Sequence, residues 1–310
     1  MFEMNFAIRY LSTYEYDGDV VDNLNALRVK PHANGRQRCD EFSVRLTPEV
    51  RLHRHTDYFG TEVVEFEVSR PHRHLTIDVR ARVSTSASGE PPRSGWAALG
   101  APAYREAGGE FLLQTDDAAG DPLLAELVEA TASDSPLQTL LRVSQLIPDR
   151  FEYRRGATFV DSTVSDLLGA GAGVCQDFVH LGLCLLRHHG IAARYVSGYL
   201  FAAGSDADRA PVRESVEVDT HAWLEALLPV GDDEDPGGAP PTALDPVWVG
   251  ADPTNRGLAG ESHVKIGHGR HYADVPPIKG VYRGAASARL AASVTMTRLE
   301  RTDPASIARS

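Results

Sequence analysis

Apolar and polar residues alternate along much of the first hundred positions. Phe6, Ile8 and Tyr10 fall at every second residue, and 63–68 is a short apolar-rich run. Leu75, Ile77, Val79, Ala81 and Val83 are separated by Thr76, Asp78, Arg80 and Arg82. A period of two puts one set of side chains on each face of an extended chain, so this region predicts half-buried strands in an antiparallel β-rich module. From 84 to 110 the pattern dissolves into Ser, Gly, Pro and Ala, which predicts a linker or surface loop.

Spacings of three and four then take over. They predict a helix over 122–130, and a second opened by Ser135 as N-cap with Pro136 in the first turn. A third, short segment covers 166–168. The most regular helix runs over 175–189, where Val179, Leu183 and Leu186 share a stripe and Gly190 closes the end. Strands are expected at 193–201, 216–228 and 247–251, and as a last alternating run at Leu290, Ala292, Val294 and Met296. Helices followed by strands specify an α+β fold rather than a doubly wound one. The chain accordingly divides into a β-rich region over 1–100 and a core over 111–300 that includes the C-terminal strands.

Composition narrows the function classes. With 42% hydrophobic and 24% charged residues in 310, the chain can bury a sizeable core, which excludes a wholly disordered protein. Lys plus Arg number 31 against 43 Asp plus Glu, a formal charge of −12, and so no nucleic-acid partner is expected: such binding needs cations to displace counterions. No apolar run reaches about 18 residues, and the first residues lack the apolar stretch of a signal peptide, so neither a membrane partner nor export is expected. The acidic, Pro/Gly-rich stretch 231–246 reads as a solvated loop. Three cysteines, at 39, 175 and 184, do not suit a disulfide framework and point to a reducing, cytoplasmic setting.

Cys175 follows a Gly-rich turn and starts the most regular helix. There, unpaired backbone N–H groups and the positive end of the helix dipole favour a thiolate and could hold an oxyanion. Taken alone, it reads equally well as a small buried thiol. His180, five positions on, lies about 140° around the helix from Cys175 and is therefore assigned a structural role. His221 shares a strand face with Trp223 and Glu225, and Asp252 ends the next strand, where a carboxylate can orient an imidazole. Separately, His221 fits a packed core and Asp252-Pro253 a common turn; the set of thiol, imidazole and carboxylate is what points to nucleophilic catalysis. Cys184 and His188 share a helix face beside His189, but no second pair of ligands accompanies them, so no metal is expected. His53, His55, His72 and His74 fit exposed positions on strands, and Trp223 and Trp248 fit the core.

Four blocks carry a resemblance: Gly173 to His180 (GVCQDFVH), Arg194 to Tyr199 (RYVSGY), His221 to Glu225 (HAWLE) and Asp252 to Asn255 (DPTN). In this order they resemble the bacterial transglutaminase-like superfamily. Phe151-Glu152-Tyr153 with Thr158 resembles the run-in to that core. Tyr10 to Tyr16, Leu27 to Pro31 and Asp57 to Gly60 resemble its β-rich N-terminal region. The resemblance implies a papain-like core with Cys175 as nucleophile, His221 as general base and acid, and Asp252 as orienter. It implies thioester chemistry at peptide or isopeptide amides, ending in transfer to an amine or to water, with a protein or peptide substrate and no cofactor. Two departures stand out: the 231–246 loop replaces a short turn, and His271 stands where Asp is commoner. No Gln precedes the cysteine to serve an oxyanion hole, which leaves the Cys175 amide as the one named donor. A binding or scaffold protein that keeps the fold without turnover is the competing reading.

Overall fold

The computed structural model describes residues 3–114, 116–159, 161–201, 215–218, 220–230 and 244–300. The period-two region forms five strands: β1 Glu3–Leu27, β2 Gln37–Thr47, β3 His53–Thr56, β4 Glu62–Val68 and β5 His72–Ser86. Along β5 the alternation is realised physically, with Leu75, Ile77, Val79 and Val83 at 2% exposure or less and Arg80 and Arg82 in solvent. The stretch expected as a loop after residue 84 instead continues β5 and then folds into short helical turns, including α1 Pro102–Gly108. Pro102 opens α1, and Tyr104 anchors it by donating its hydroxyl to the Leu227 carbonyl, 3.1 Å away. Ser94 and Trp96 tie the preceding stretch down by donating to the carbonyls of Pro229 and Ser133, and such scattered anchors leave no periodic pattern in the sequence.

The helices follow as α2 Pro122–Thr131 and α3 Pro136–Arg150, and after β6 Glu152–Tyr153, α4 Val164–Ala170. Ser135 caps α3, as its sequence predicts, by accepting from the Gln138 amide, and Asp121 caps α2 in the same way. Then come β7 Ala172–Gly173, α5 Cys175–His188, β8 Ala193–Leu200, β9 Ser215–Val218, β10 Thr220–Val230, β11 Leu244–Asp252, β12 Gly257–Leu258 and β13 His263–Gly269, followed by β14 Ile278–Arg283 and β15 Ala288–Leu299. The single strand expected over 216–228 is two strands in different sheets. β9 pairs with β15, and β10 lies between β8 and β11. Most of the acidic stretch, 231–243, lies outside the described residues.

Two antiparallel sheets organise the described residues. Eight strands form the first, with β2-β5-β1-β15-β9 as its main path, and five form the second in the order β12-β11-β10-β8-β13. β15 pairs with β1 over its length and β14 pairs with the end of β1, so the C-terminal strands, placed in the second unit by sequence order, are physically part of the first sheet. α2, α3 and α5 pack on one side of the five-stranded sheet through Leu127, Leu140, Val143, Phe178 and Leu224. Its other side joins the first sheet in a shared core of Tyr199, Phe201, Val264 and Ile266 with Phe6 and Leu27. Enclosure on both sides explains why most of β10 is buried without alternation. Gln37 clips the sheets together, donating to the carbonyls of His32 and Lys265 and accepting from the Lys265 amide at 2.8 Å. Among the described residues no helix is long and apolar enough to cross a membrane.

Candidate active site

Cys175 is the first residue of α5, where backbone N–H groups have no partner within the helix. The end is organised by Asp177, 2% exposed, whose carboxylate accepts from the Val174 amide at 2.8 Å and from the Thr158 hydroxyl at 2.5 Å. The glycine before Val174 is required by this packing: a β-carbon on Gly173 would lie 2.8 Å from the Asp177 carboxylate. The partly buried Cys175 is thus set at a capped helix start, in a frame built by its own neighbours.

His221, the second residue of β10, reaches this point from the sheet. Its Nε2 lies 2.7 Å from Asp252 Oδ2, and its ring is within hydrogen-bonding reach of Cys175. Burial alone would push the imidazole down, but the hydrogen bonds to Asp252 and Cys175 outweigh it and raise the group to about 10, so the imidazolium is favoured. Asp252, 1% exposed at the end of β11, feels the converse: burial works against its charge, but donation from His221 and His263 holds it far below the usual carboxylate range. The three residues picked out in the sequence therefore meet in one place.

Asp252 does more than face His221. Its Oδ1 accepts the amides of Thr254 and Asn255 at 2.9 and 3.2 Å, and its Oδ2 accepts the Asn255 side-chain amide at 2.6 Å. His263, the first residue of β13, places Nε2 3.0 Å from the same Oδ2. Trp223 packs against both imidazoles, stacked on His221 and edge-on to His263 with ring centroids 5.2 Å apart in the latter pair, and the two imidazole centroids are themselves 6.2 Å apart. His263 escaped the sequence reading because β13 carries polar Lys265 and His268 at enclosed positions, which hides its period of two.

Other candidates sort differently. His180 accepts the Tyr272 amide at Nε2, and its burial, reinforced by the nearby His271 and Arg187, pushes it down to about 4, consistent with a structural role. His271 is 38% exposed and lies 4.0 Å from Asp274. His72, expected in solvent, is buried, with Asn23 on Nε2 and the Arg70 carbonyl on Nδ1; His53, His55 and His74 are exposed. All three cysteines are free thiols. Among the described residues, two groups bring ligand-type atoms within 4.8 Å of one another: Asp116 with Cys184 and His188, and the His221, Asp252 and His263 cluster. In the first, burial raises the Cys184 thiol, Asp116 accepts from it, and the Arg187 guanidinium adds positive charge alongside, so these three donors make no closed tetrahedral set. In the second, the ring nitrogens facing Asp252 are engaged in hydrogen bonds to it.

Behind Trp223 lies a buried charge cluster that sequence spacing did not reveal. Glu225 Oε2 accepts from Arg194 and from Lys265, each at 2.6 Å, and the Arg194 guanidinium lies 3.9 Å from the centre of the Trp248 ring. Burial lowers Lys265 and works against Glu225, but the two cations hold the Glu225 carboxyl far below its ordinary value.

Comparison with known proteins agrees with this architecture. Residues 6–84 match the bacterial transglutaminase-like N-terminal region and residues 124–253 match the transglutaminase-like superfamily. An uncharacterized protein of Mycobacterium leprae is 33% identical over 289 residues, covering 92% of this chain and 96% of its own. An uncharacterized protein of Mycobacterium tuberculosis is 33% identical over 294 residues, covering 89% of this chain and 87% of its own. The crystal structure of a candidate cysteine protease from Cytophaga hutchinsonii superposes with a TM-score of 0.70 at 22% identity, covering 98% of this chain and 93% of that one. The chain belongs to the transglutaminase-like superfamily: an α+β, papain-like core with a strand-rich N-terminal module.

Proposed function

We propose that the protein is a cysteine acyltransferase or hydrolase acting on peptide or isopeptide amides through a thioester on Cys175. The observation that carries this reading is that one imidazole, His221, has both Cys175 and Asp252 within hydrogen-bonding reach, with Asp252 Oδ2 2.7 Å from its Nε2. The Cys175 sulfur attacks the amide carbonyl carbon, and the resulting oxyanion lies near the amides of the α5 start. His221 donates its proton to the leaving nitrogen, the C–N bond breaks, and the acyl group stays on sulfur. Water or an amine then attacks the thioester, His221 takes up its proton, and the thiolate–imidazolium pair is restored. Asp252 keeps the imidazole in the useful orientation throughout.

Intact-mass measurement after exposure to a peptide library, with and without a primary-amine acceptor, tests the reading. It expects an acyl adduct on Cys175 that is absent from Cys175→Ala, discharged by water in one arm or by the amine in the other. No adduct in any arm, or equal product formation by Cys175→Ala, overturns it.

A further inference from the structure

Asp252 Oδ2 has two imidazole partners, and only one of them faces the nucleophile. The second, His263, has its tautomer set by its own strand: the Gly260 amide donates to His263 Nδ1 at 3.1 Å, so that nitrogen presents its lone pair. The ring proton then resides on Nε2, which points at Asp252 Oδ2 from 3.0 Å. His263 can therefore only donate to the carboxylate. A side chain of 11% exposure, braced by the Trp223 ring, delivers that hydrogen bond in a fixed direction. Asn255 donates to the same oxygen, and the Thr254 and Asn255 amides hold the other one. The carboxylate plane is thus fixed from several sides, and besides His221 itself His263 is the contributor that comes from a different strand.

We propose that His263 is a positioning residue, which fixes the Asp252 carboxylate so that Oδ2 stays aligned with His221 Nε2. This rests on the reading of Cys175, His221 and Asp252 as the reactive set. The physical argument is one of orientation. A carboxylate held only by its local turn could rotate about χ2 or exchange a partner for water, and the imidazole would lose its register on the sulfur. A donor locked by Gly260 and wedged by Trp223 removes that freedom before substrate arrives.

The test uses the full chain, with iodoacetamide as the probe of Cys175 and the low-field proton resonance of His221 Nε2–H as the signature of the His221–Asp252 bond. The parent should show that resonance and His221→Ala should lack it; if the parent lacks it, the reading of the site fails and the proposal falls with it. With the resonance present, His263→Ala is expected to broaden or erase it and to slow Cys175 alkylation about ten- to a hundredfold, the span of one hydrogen bond to a charged group. His263→Gln, whose amide can donate from nearly the same place, should recover most of the loss. A His263→Ala protein that keeps both the resonance and the rate overturns the proposal while leaving the site reading intact. Nitrogen-15 spectra of histidine-labelled parent protein check the same point without a variant: a proton on His263 Nδ1 rather than Nε2 overturns it.

Discussion

Gly198 on β8 stands directly opposite His221 on β10 in the antiparallel ladder. A β-carbon at Gly198 would overlap the Trp223 ring and the Val264 carbonyl oxygen, so the glycine makes the space in which Trp223 stacks on His221. Gly198→Ala is expected to cost about 1–3 kcal/mol through overpacking and to slow Cys175 alkylation by tilting the imidazole. Urea denaturation and an alkylation time course read the two effects. An unchanged midpoint together with an unchanged rate would show that the pocket tolerates the methyl group.

Asp252→Asn should damage both chemistry and folding. Substitution replaces a carboxylate oxygen by an NH2 group, which must face at least one of the donors now converging there from His221, His263, Thr254 and Asn255. One misplaced buried donor costs roughly 1–3 kcal/mol. Loss of the charge that favours the imidazolium should lower kcat by about two to four orders of magnitude. Thermal unfolding and turnover of the Asn variant, set beside Cys175→Ala, separate the effects, since Cys175→Ala should remove activity with stability nearly unchanged.

Glu225→Gln leaves Arg194 and Lys265 enclosed without a counter-charge. Breaking one partner of a buried ion cluster costs about 3–5 kcal/mol, so this variant should fall well short of the parent in Tm although Glu225 does not touch Cys175. A double variant, Glu225→Gln with Lys265→Met, should regain part of the loss. If it is no better than the single variant, uncompensated charge is not the cause.

His180 gives the fold an acid-sensitive contact. Its burial, helped by His271 and Arg187, depresses the folded-state value to about 4, below the roughly 6.5 of a free imidazole. Between these two values the unfolded chain binds the extra proton, so the contribution is intact above about pH 6.5 and is lost as pH falls toward 4. Since the ring is only partly buried, the loss is on the order of 2 kcal/mol. His180→Gln, which keeps an acceptor for the Tyr272 amide, should flatten stability over that window. Chemical denaturation at several pH values measures the slope, and parallel slopes in the two proteins would count against this account.

Much of this protein is legible in its sequence because local physics fixes it. The alternation at 75–83 becomes β5, the Ser135-Pro136 signal becomes a capped helix, and the stripe beginning at Cys175 becomes α5, with the thiol at its first residue. Chain order also carried Cys175, His221 and Asp252 as a set, through motifs whose spacing follows helix and strand ends. Distance along the chain could not show where β15 goes: its alternation says only that one face is buried, and the partner is β1, almost three hundred residues away. The same limit hid the break between β9 and β10, because a period of two continues across strands that enter different sheets. His263, Lys265 and Glu225 became readable only once β13 and β10 were both placed beside β8. Their polar groups are tolerated in the interior by partners on other strands, and that pairing is a property of three-dimensional proximity rather than of any local pattern.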